Sequence, residues 1–136
     1  MKIIICLDDA LGMLFNSRRQ SRDRCVTDDI IKLTKGKGLY ISPFSKKLFD
    51  EREGEYELCE DMLSSAQSGE YCFVENMPIK PYIARVEEIV VYRWNRLYPS
   101  DVKLDIDIEK EGFKKLSSED FEGYSHEKIT KEVFGR

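Results

Sequence analysis

The sequence has one histidine, one tryptophan and no C-x-x-C pair among its four cysteines. It also has no G-x-x-x-x-G-K-[ST], G-x-S-x-G or H-E-x-x-H motif, so the best-marked nucleotide-binding, serine hydrolase and zinc protease families are not indicated. Its opening apolar run, residues 3–7, is cut short by Asp8 and Asp9 and is too brief for a signal peptide or a membrane span. We therefore expect a cytoplasmic protein with reduced thiols and no membrane partner.

Positive charge is scarce and concentrated. The net charge is −4 and the pI is about 5.2, which disfavours nonspecific nucleic-acid binding through a broad basic face. Residues 16–24, however, hold four arginines against the single acid Asp23. With 41% hydrophobic residues, a chain of 136 residues is expected to form one globular domain, residues 1–136. Any anion should therefore bind at one focused place.

Strands and helices alternate along the chain. Apolar or β-branched runs predict strands at residues 3–7, 39–42, 70–74, 87–95 and 102–106, with a further strand near 113–116. Helices are expected at residues 27–35, 55–67 and 126–134, the last capped by Ser125. We expect the strands at 87–95 and 102–106 to pair. The fold class predicted from this order is α/β, a three-layer single domain with a mostly parallel central sheet.

The arginine-rich stretch is predicted to be a loop. Ser21 and Thr27 are both possible N-caps for the first helix, and the helix dipole favours Thr27, because a start at Ser21 would place arginines at the positive end. Gly36 is then the expected terminator. The preceding segment ALGMLFN is expected to be a loop that bends at Gly12.

The order of elements resembles the dihydrofolate-reductase-like fold. The resemblance rests on the opening strand, the loop with Gly12, the first helix, the strand at 39–42 and the run CFVENMPIKPYIARVEEIVVYRW, and it implies a layered α/β domain. Where those reductases carry adjacent glycines against the cofactor pyrophosphate, this chain has Val74, Glu75 and Asn76. We therefore expect the fold without the nicotinamide chemistry, and no cofactor.

Five segments are similar to a group of short, uncharacterised bacterial proteins, some of which are labelled ribonuclease Z. They are MKIIICLDD, LFNSRRQSRDR, EYCFVEN, YRWNRLYP and GYSHEKITKEVF. The label implies a dinuclear zinc centre rich in histidine, which cannot be assembled around His126 alone. His126 itself is interpreted as a capping or surface residue, and Trp94 as a core or interface anchor.

The candidate site lies where the strands end. In a parallel sheet, ligands bind outside the carboxyl ends of the strands. The residues predicted there are Asp8, Asp9, Glu75 and Asn76, joined by Asn16, Arg18, Arg19, Arg22 and Arg24 from the arginine-rich stretch. Because guanidinium groups bind phosphate and carboxylate bidentately, the predicted partner is a small anionic ligand of nucleotide type. No metal is assigned.

Alternatives remain open. The arginines could instead pair with Asp8, Asp9, Asp23 and Glu75, or form a surface for a protein partner. Asp8, Asp9 and Glu75 could hold a divalent ion in an RNA-processing nuclease. A divergent reductase, or an acidic interaction or immunity-type protein, would also fit the composition. The oligomeric state is left open.

Overall fold

The middle of the protein is a seven-stranded mixed β-sheet, in a computed structural model that describes residues 1–136. The ten strands are β1 (Lys2–Leu7), β2 (Gly12–Phe15), β3 (Arg18–Arg19), β4 (Leu39–Ile41), β5 (Glu57–Leu58), β6 (Tyr71–Phe73), β7 (Glu88–Arg93), β8 (Val102–Lys103), β9 (Lys114–Phe121) and β10 (Ile129–Gly135). The large sheet has the order β5-β4-β6-β1-β7-β10-β9, and a small sheet has the order β3-β2-β8. The helices are α1 (Arg24–Thr34), α2 (Lys46–Asp50) and α3 (Met62–Ser65), with 3-10 helices at Pro43–Ser45 and Lys80–Arg85.

Strand β1 lies in the interior of the large sheet, and its side chains are apolar on both faces. Ile3 and Ile5 belong to one core cluster, whereas Ile4 between them belongs to the other. All three are fully buried. Since successive side chains of a strand point to opposite faces, this continuous apolar run requires a packing layer on each side of the sheet.

Both faces of the sheet are covered, so the domain has three layers. On the face of Ile4, helix α1 packs through Val26 and Ile30. On the other face, Met62 of α3 and Met13 of β2 pack into the second cluster. None of the helices has the length and apolar character needed to cross a membrane.

Four predicted strands are confirmed. The apolar runs at residues 3–7, 39–42, 70–74 and 87–95 correspond to β1, β4, β6 and β7. These strands pair with one another in parallel, with β1 between β6 and β7. Their carboxyl ends therefore meet at one edge of the sheet, which is the edge that positions the candidate site.

The prediction of a mostly parallel sheet is wrong. The central sheet is mixed, because β10 runs antiparallel to β7 and β9, and the small sheet is antiparallel throughout, because β2 runs antiparallel to β3 and β8. The connection lengths explain the direction of the last strands. A parallel crossover needs about a dozen residues or more, whereas residues 122–128 alone join β9 to β10.

Two predicted helices are also corrected. The segment predicted as a helix at residues 126–134 contains no helix, and β10 begins at Ile129, because both edges of this strand pair with β7 and β9. In the segment 55–67, Glu57–Leu58 pairs with the free edge of β4, and only Met62–Ser65 is helical. The apolar spacing identified buried residues correctly in that segment, since Met62, Leu63 and Ala66 are all buried.

The segment after β1 is a hairpin and not a loop. Strands β2 and β3 pair across a two-residue turn, Asn16–Ser17, in which both residues have positive φ (56° and 61°). This is the backbone of the type I′ turn, which matches the right-handed twist of a hairpin. Strand β8 pairs with β2 and not with β7, which corrects the predicted pairing of residues 102–106.

Helix α1 begins three residues earlier than predicted. Its N-cap is Asp23, whose side chain accepts a hydrogen bond from the Cys25 amide, and Thr27 lies buried within the helix. The unfavourable placement of Arg24 at the positive end is offset by its guanidinium, which lies over the ring of Tyr124 at 3.6 Å. The predicted end holds, since α1 stops at Thr34 and Gly36 has φ +75°.

We predict that Ile4→Ala destabilises the protein by about 3 kcal/mol, because it leaves a cavity in a fully buried position of a central strand. Urea unfolding measures the change in the free energy of unfolding, which is interpretable when the variant and the wild type have the same m-value. Leu116→Ala, on the outer strand β9 where the side chain is 65% exposed, is the matched control and should change stability by no more than about 0.5 kcal/mol. Equal losses in both variants would contradict the assigned core.

Candidate functional site

Buried carboxylates follow the ends of two neighbouring parallel strands. Asp8 comes directly after β1 and Glu75 follows β6, and both are buried. Of the other residues predicted at this edge, Asp9 and Asn76 are exposed, and Asn76 accepts only a long hydrogen bond from Ser42 (3.4 Å). The two buried acids therefore lie at the carboxyl edge of the sheet, where the site was predicted.

Asp8 organises the surrounding turns. Its carboxylate accepts hydrogen bonds from the amides of Ala10 (2.9 Å), Gly12 (2.7 Å) and Tyr98 (3.1 Å), and from the side chain of Gln20 (3.0 Å). Burial alone would raise the pKa of Asp8, but these donors outweigh it and lower the pKa below its ordinary value. Asp8 is thus fully used in joining the end of β1 to the segments around Gln20 and Tyr98.

Arg19 forms an internal ion pair with Glu75. From β3 its guanidinium makes two hydrogen bonds of 2.8 Å to the carboxylate of Glu75, which also accepts one from Ser45 (2.7 Å). This bidentate geometry ties the hairpin to the end of β6. Burial, together with the nearby Glu75, raises the pKa of the Cys6 thiol beneath the pair, so this cysteine is unreactive.

The other arginines diverge. Arg22 makes an exposed ion pair with Glu51 at the C-terminal end of α2 (2.9 Å), and Arg24 stacks on Tyr124. Arg18 is exposed and has no carboxylate within 4.0 Å. Asn16 lies in the hairpin turn, and its backbone amide donates a hydrogen bond to the carboxylate of Asp101 (3.0 Å). The structure therefore does not gather all four arginines at one point.

An open groove of about 720 Å³ lies between the hairpin and α2. Its lining comprises Ser17, Arg18, Arg19, Ser21, Arg22, Phe44, Lys47 and Glu51, which is four cations against one carboxylate. Lys47, like Arg18, has no acidic partner within 4.0 Å. A second groove, of about 790 Å³, is lined by four glutamates and is unsuited to an anion. Among these two, the hairpin groove is the positively charged one.

The acids do not form a metal site. No group of three or more His, Cys, Asp or Glu side chains is placed to hold an ion. Asp8 is saturated by protein donors and Glu75 is neutralised by Arg19. The three carboxylates Asp8, Asp9 and Glu75 therefore do not supply the ligand set that a metal-dependent nuclease requires.

A hydrogen-bonded relay lies next to this groove and was not anticipated from the sequence. The ring of His126 is buried, with Nδ1 at 2.9 Å from an Asp23 carboxylate oxygen and Nε2 at 2.9 Å from the hydroxyl of Ser21. The hydroxyl of Tyr98 lies 3.2 Å from the same Nε2 and 3.3 Å from Ser21 Oγ. Trp94 stacks on the imidazole with ring centres 4.7 Å apart, which fixes the plane of the ring.

Asp23 holds this relay in place. One of its oxygens accepts the amides of Cys25 and Tyr124 (both 2.9 Å), and the other accepts the amide of Ser125 (2.8 Å) as well as His126 Nδ1. Burial would raise the pKa of Asp23, but the hydrogen bonds from Tyr124, His126, Ser125 and Cys25 lower it well below its usual range. Asp23 is thus ionised at neutral pH, and it imposes the Nδ1–H form of the histidine.

Comparison with known proteins adds no assignment. No protein-family model matches the sequence, and no curated protein matches it either.

We predict that Asp23→Asn destabilises the protein by about 3 kcal/mol at pH 7, because an amide NH₂ then faces buried donors that need an acceptor. Since the folded-state pKa of Asp23 lies below the ordinary value of 3.8, its stabilising contribution is present above about pH 4 and is lost as the pH falls further. Urea unfolding of both proteins from pH 7 to pH 2.5 measures the difference, which should shrink on the acid side.

Asp28→Asn is the matched control for this prediction. Asp28 lies in the same helix and makes an exposed ion pair with Arg52, so its loss should cost no more than about 1 kcal/mol. A pH-independent cost for Asp23→Asn, or an equal cost for Asp28→Asn, would contradict the assigned role.

Proposed function

We propose that this protein binds a small phosphate- or carboxylate-bearing ligand, of nucleotide type, in the groove between the β2–β3 hairpin and α2. The observation that carries the proposal is that Arg18 and Lys47 line one groove without acidic partners, in a chain whose net charge is −4. Unpaired cations that share a concave surface favour an anionic ligand.

The groove offers contacts for more than charge. Phe44 lines it, and its ring lies 5.4 Å from the Arg19 guanidinium carbon, which gives a planar surface beside the cations. Ser17 and Ser21 add hydroxyl groups at the hairpin side. A flat ring joined to a phosphate would match this combination of an aromatic face and two free cations. The volume of about 720 Å³ lies within the range of small-molecule sites.

The fold is proposed to follow the dihydrofolate-reductase-like order. Support comes from the placement of β1 between β6 and β7, with helices on both faces of a mixed sheet. The proposal extends to the order of elements alone. Val74, Glu75 and Asn76 still stand at the position of the reductase glycines, so no nicotinamide site is proposed.

Ligand binding is testable by thermal shift and calorimetry with a panel of nucleotides, sugar phosphates and small dicarboxylates. At a concentration 100 times Kd, a ligand stabilises the folded state by about 2.7 kcal/mol, which raises Tm by several degrees. In the double variant Arg18→Gln/Lys47→Gln, we expect affinity to fall by at least about tenfold, because both free cations are lost.

The double variant Lys35→Gln/Lys37→Gln removes the same charge from exposed positions outside the groove and should bind as the wild type does. If no ligand in the panel stabilises the protein, or if both double variants lose affinity equally, the proposal is wrong.

A further inference from the structure

In the relay formed by Asp23, His126 and Ser21, each hydrogen bond can be assigned a donor and an acceptor. In the neutral imidazole the Nδ1 proton of His126 is donated to Asp23, so the other nitrogen, Nε2, carries a lone pair. The Ser21 hydroxyl, 2.9 Å away, therefore donates to Nε2. The Tyr98 hydroxyl then donates to Ser21 Oγ at 3.3 Å or shares Nε2 at 3.2 Å. A serine that donates to a histidine oriented by a buried carboxylate is an activated nucleophile.

Ser21 is placed to meet a ligand, whereas its partners are shielded. Ser21 is partly exposed and lines the hairpin groove, while His126 and Asp23 are buried. Ser21 and Gln20 also line a small cavity of about 20 Å³ next to the groove. The hydroxyl of Ser21 is thus open to the groove, whereas the groups that orient it are not.

Two backbone amides next to the nucleophile have no acceptor within the protein. The amides of Ser21 and Arg22 donate to no backbone carbonyl, and no side chain accepts from them. Backbone amides that face a carbonyl oxygen under attack stabilise the charge that forms on it.

We propose that Ser21 and His126 are the catalytic residues of an acyl-ester hydrolase, with Asp23 as the positioning residue and with substrates whose acyl group carries a carboxylate or phosphate. The nucleophile is inferred from the relay alone. Only the preference for a charged acyl group depends on the proposed function of the groove.

The reaction requires no reagent beyond water. Ser21 Oγ bonds to the ester carbonyl carbon while its proton passes to His126 Nε2, and collapse of the tetrahedral intermediate breaks the carbon–oxygen bond of the leaving alcohol, which takes that proton. Water then attacks the acyl-serine and gives a proton to Nε2, and collapse of the second tetrahedral intermediate breaks the bond between Ser21 Oγ and the acyl carbon, so that the acid is released and the water-derived proton passes from Nε2 to Ser21 Oγ.

A neutral alkyl fluorophosphonate tests the nucleophile directly, because its reaction with an activated serine forms an oxygen–phosphorus bond and releases fluoride. We expect intact-mass analysis of the wild-type protein to show a single adduct, mapped to Ser21 by peptide sequencing. His126→Ala should slow labelling by about 100-fold, the usual scale of general-base catalysis. Ser21→Ala should give no adduct, and Ser64→Ala, an exposed serine of α3, should label as the wild type does.

Two further measurements separate this inference from a purely structural network. Tyr98→Phe removes the competing hydroxyl and should label at least as fast as the wild type. The double variant Arg18→Gln/Lys47→Gln should lose the preference of the wild-type protein for mono-4-nitrophenyl succinate over 4-nitrophenyl acetate. If the wild-type protein is labelled at Ser21 but does not prefer the succinate ester, the charged substrate class and the proposed role of the groove are wrong, whereas the assignment of Ser21 as the nucleophile stands. A wild-type protein that stays unlabelled, or is labelled at another residue, would overturn the proposal.

Discussion

The buried carboxylate of Asp23 is the constraint on which the site depends. Its oxygens accept hydrogen bonds from the start of α1 and from residues 124–126, which are about 100 positions away in the chain. An unpaired charge in this position would be strongly destabilising, so these segments must close around it together. The same closure brings the imidazole of His126 against Ser21. The geometry proposed for catalysis is therefore a consequence of satisfying one buried charge.

Asp8 plays the complementary part at the end of β1. Its carboxylate accepts hydrogen bonds from the side chain of Gln20 and from the backbone amide of Tyr98. Gln20 precedes Ser21 at the end of the hairpin, and Tyr98 lies in the segment that follows β7. Arg19 adds a third tie through Glu75. These contacts fix the hairpin against the sheet. Its remaining free cation, Arg18, lines the groove together with Lys47. Arg19 is thus paired internally, whereas Arg18 stays free to serve the proposed ligand site.

The strands with two apolar faces were predictable, because burial on both sides leaves a continuous hydrophobic run such as residues 3–7. The carboxyl-end placement of Asp8 and Glu75 followed from them. Three features had no local signal. The turn at Asn16–Ser17 uses serine where glycine would mark it, residues 129–135 become a strand only through their partners, and nothing near His126 in the sequence indicates that it meets Ser21.

The tautomer of His126 tests the central claim most directly, and the presence of one histidine makes the measurement unambiguous. Long-range ¹H–¹⁵N correlation spectra at pH 7.5 distinguish the protonated ring nitrogen from the bare one. We predict that the neutral ring carries its proton on Nδ1, where it is hydrogen-bonded to Asp23, and a lone pair on Nε2, which faces Ser21. A neutral ring with its proton on Nε2, or rapid exchange between both forms, would show that Asp23 does not orient the histidine and would contradict the account.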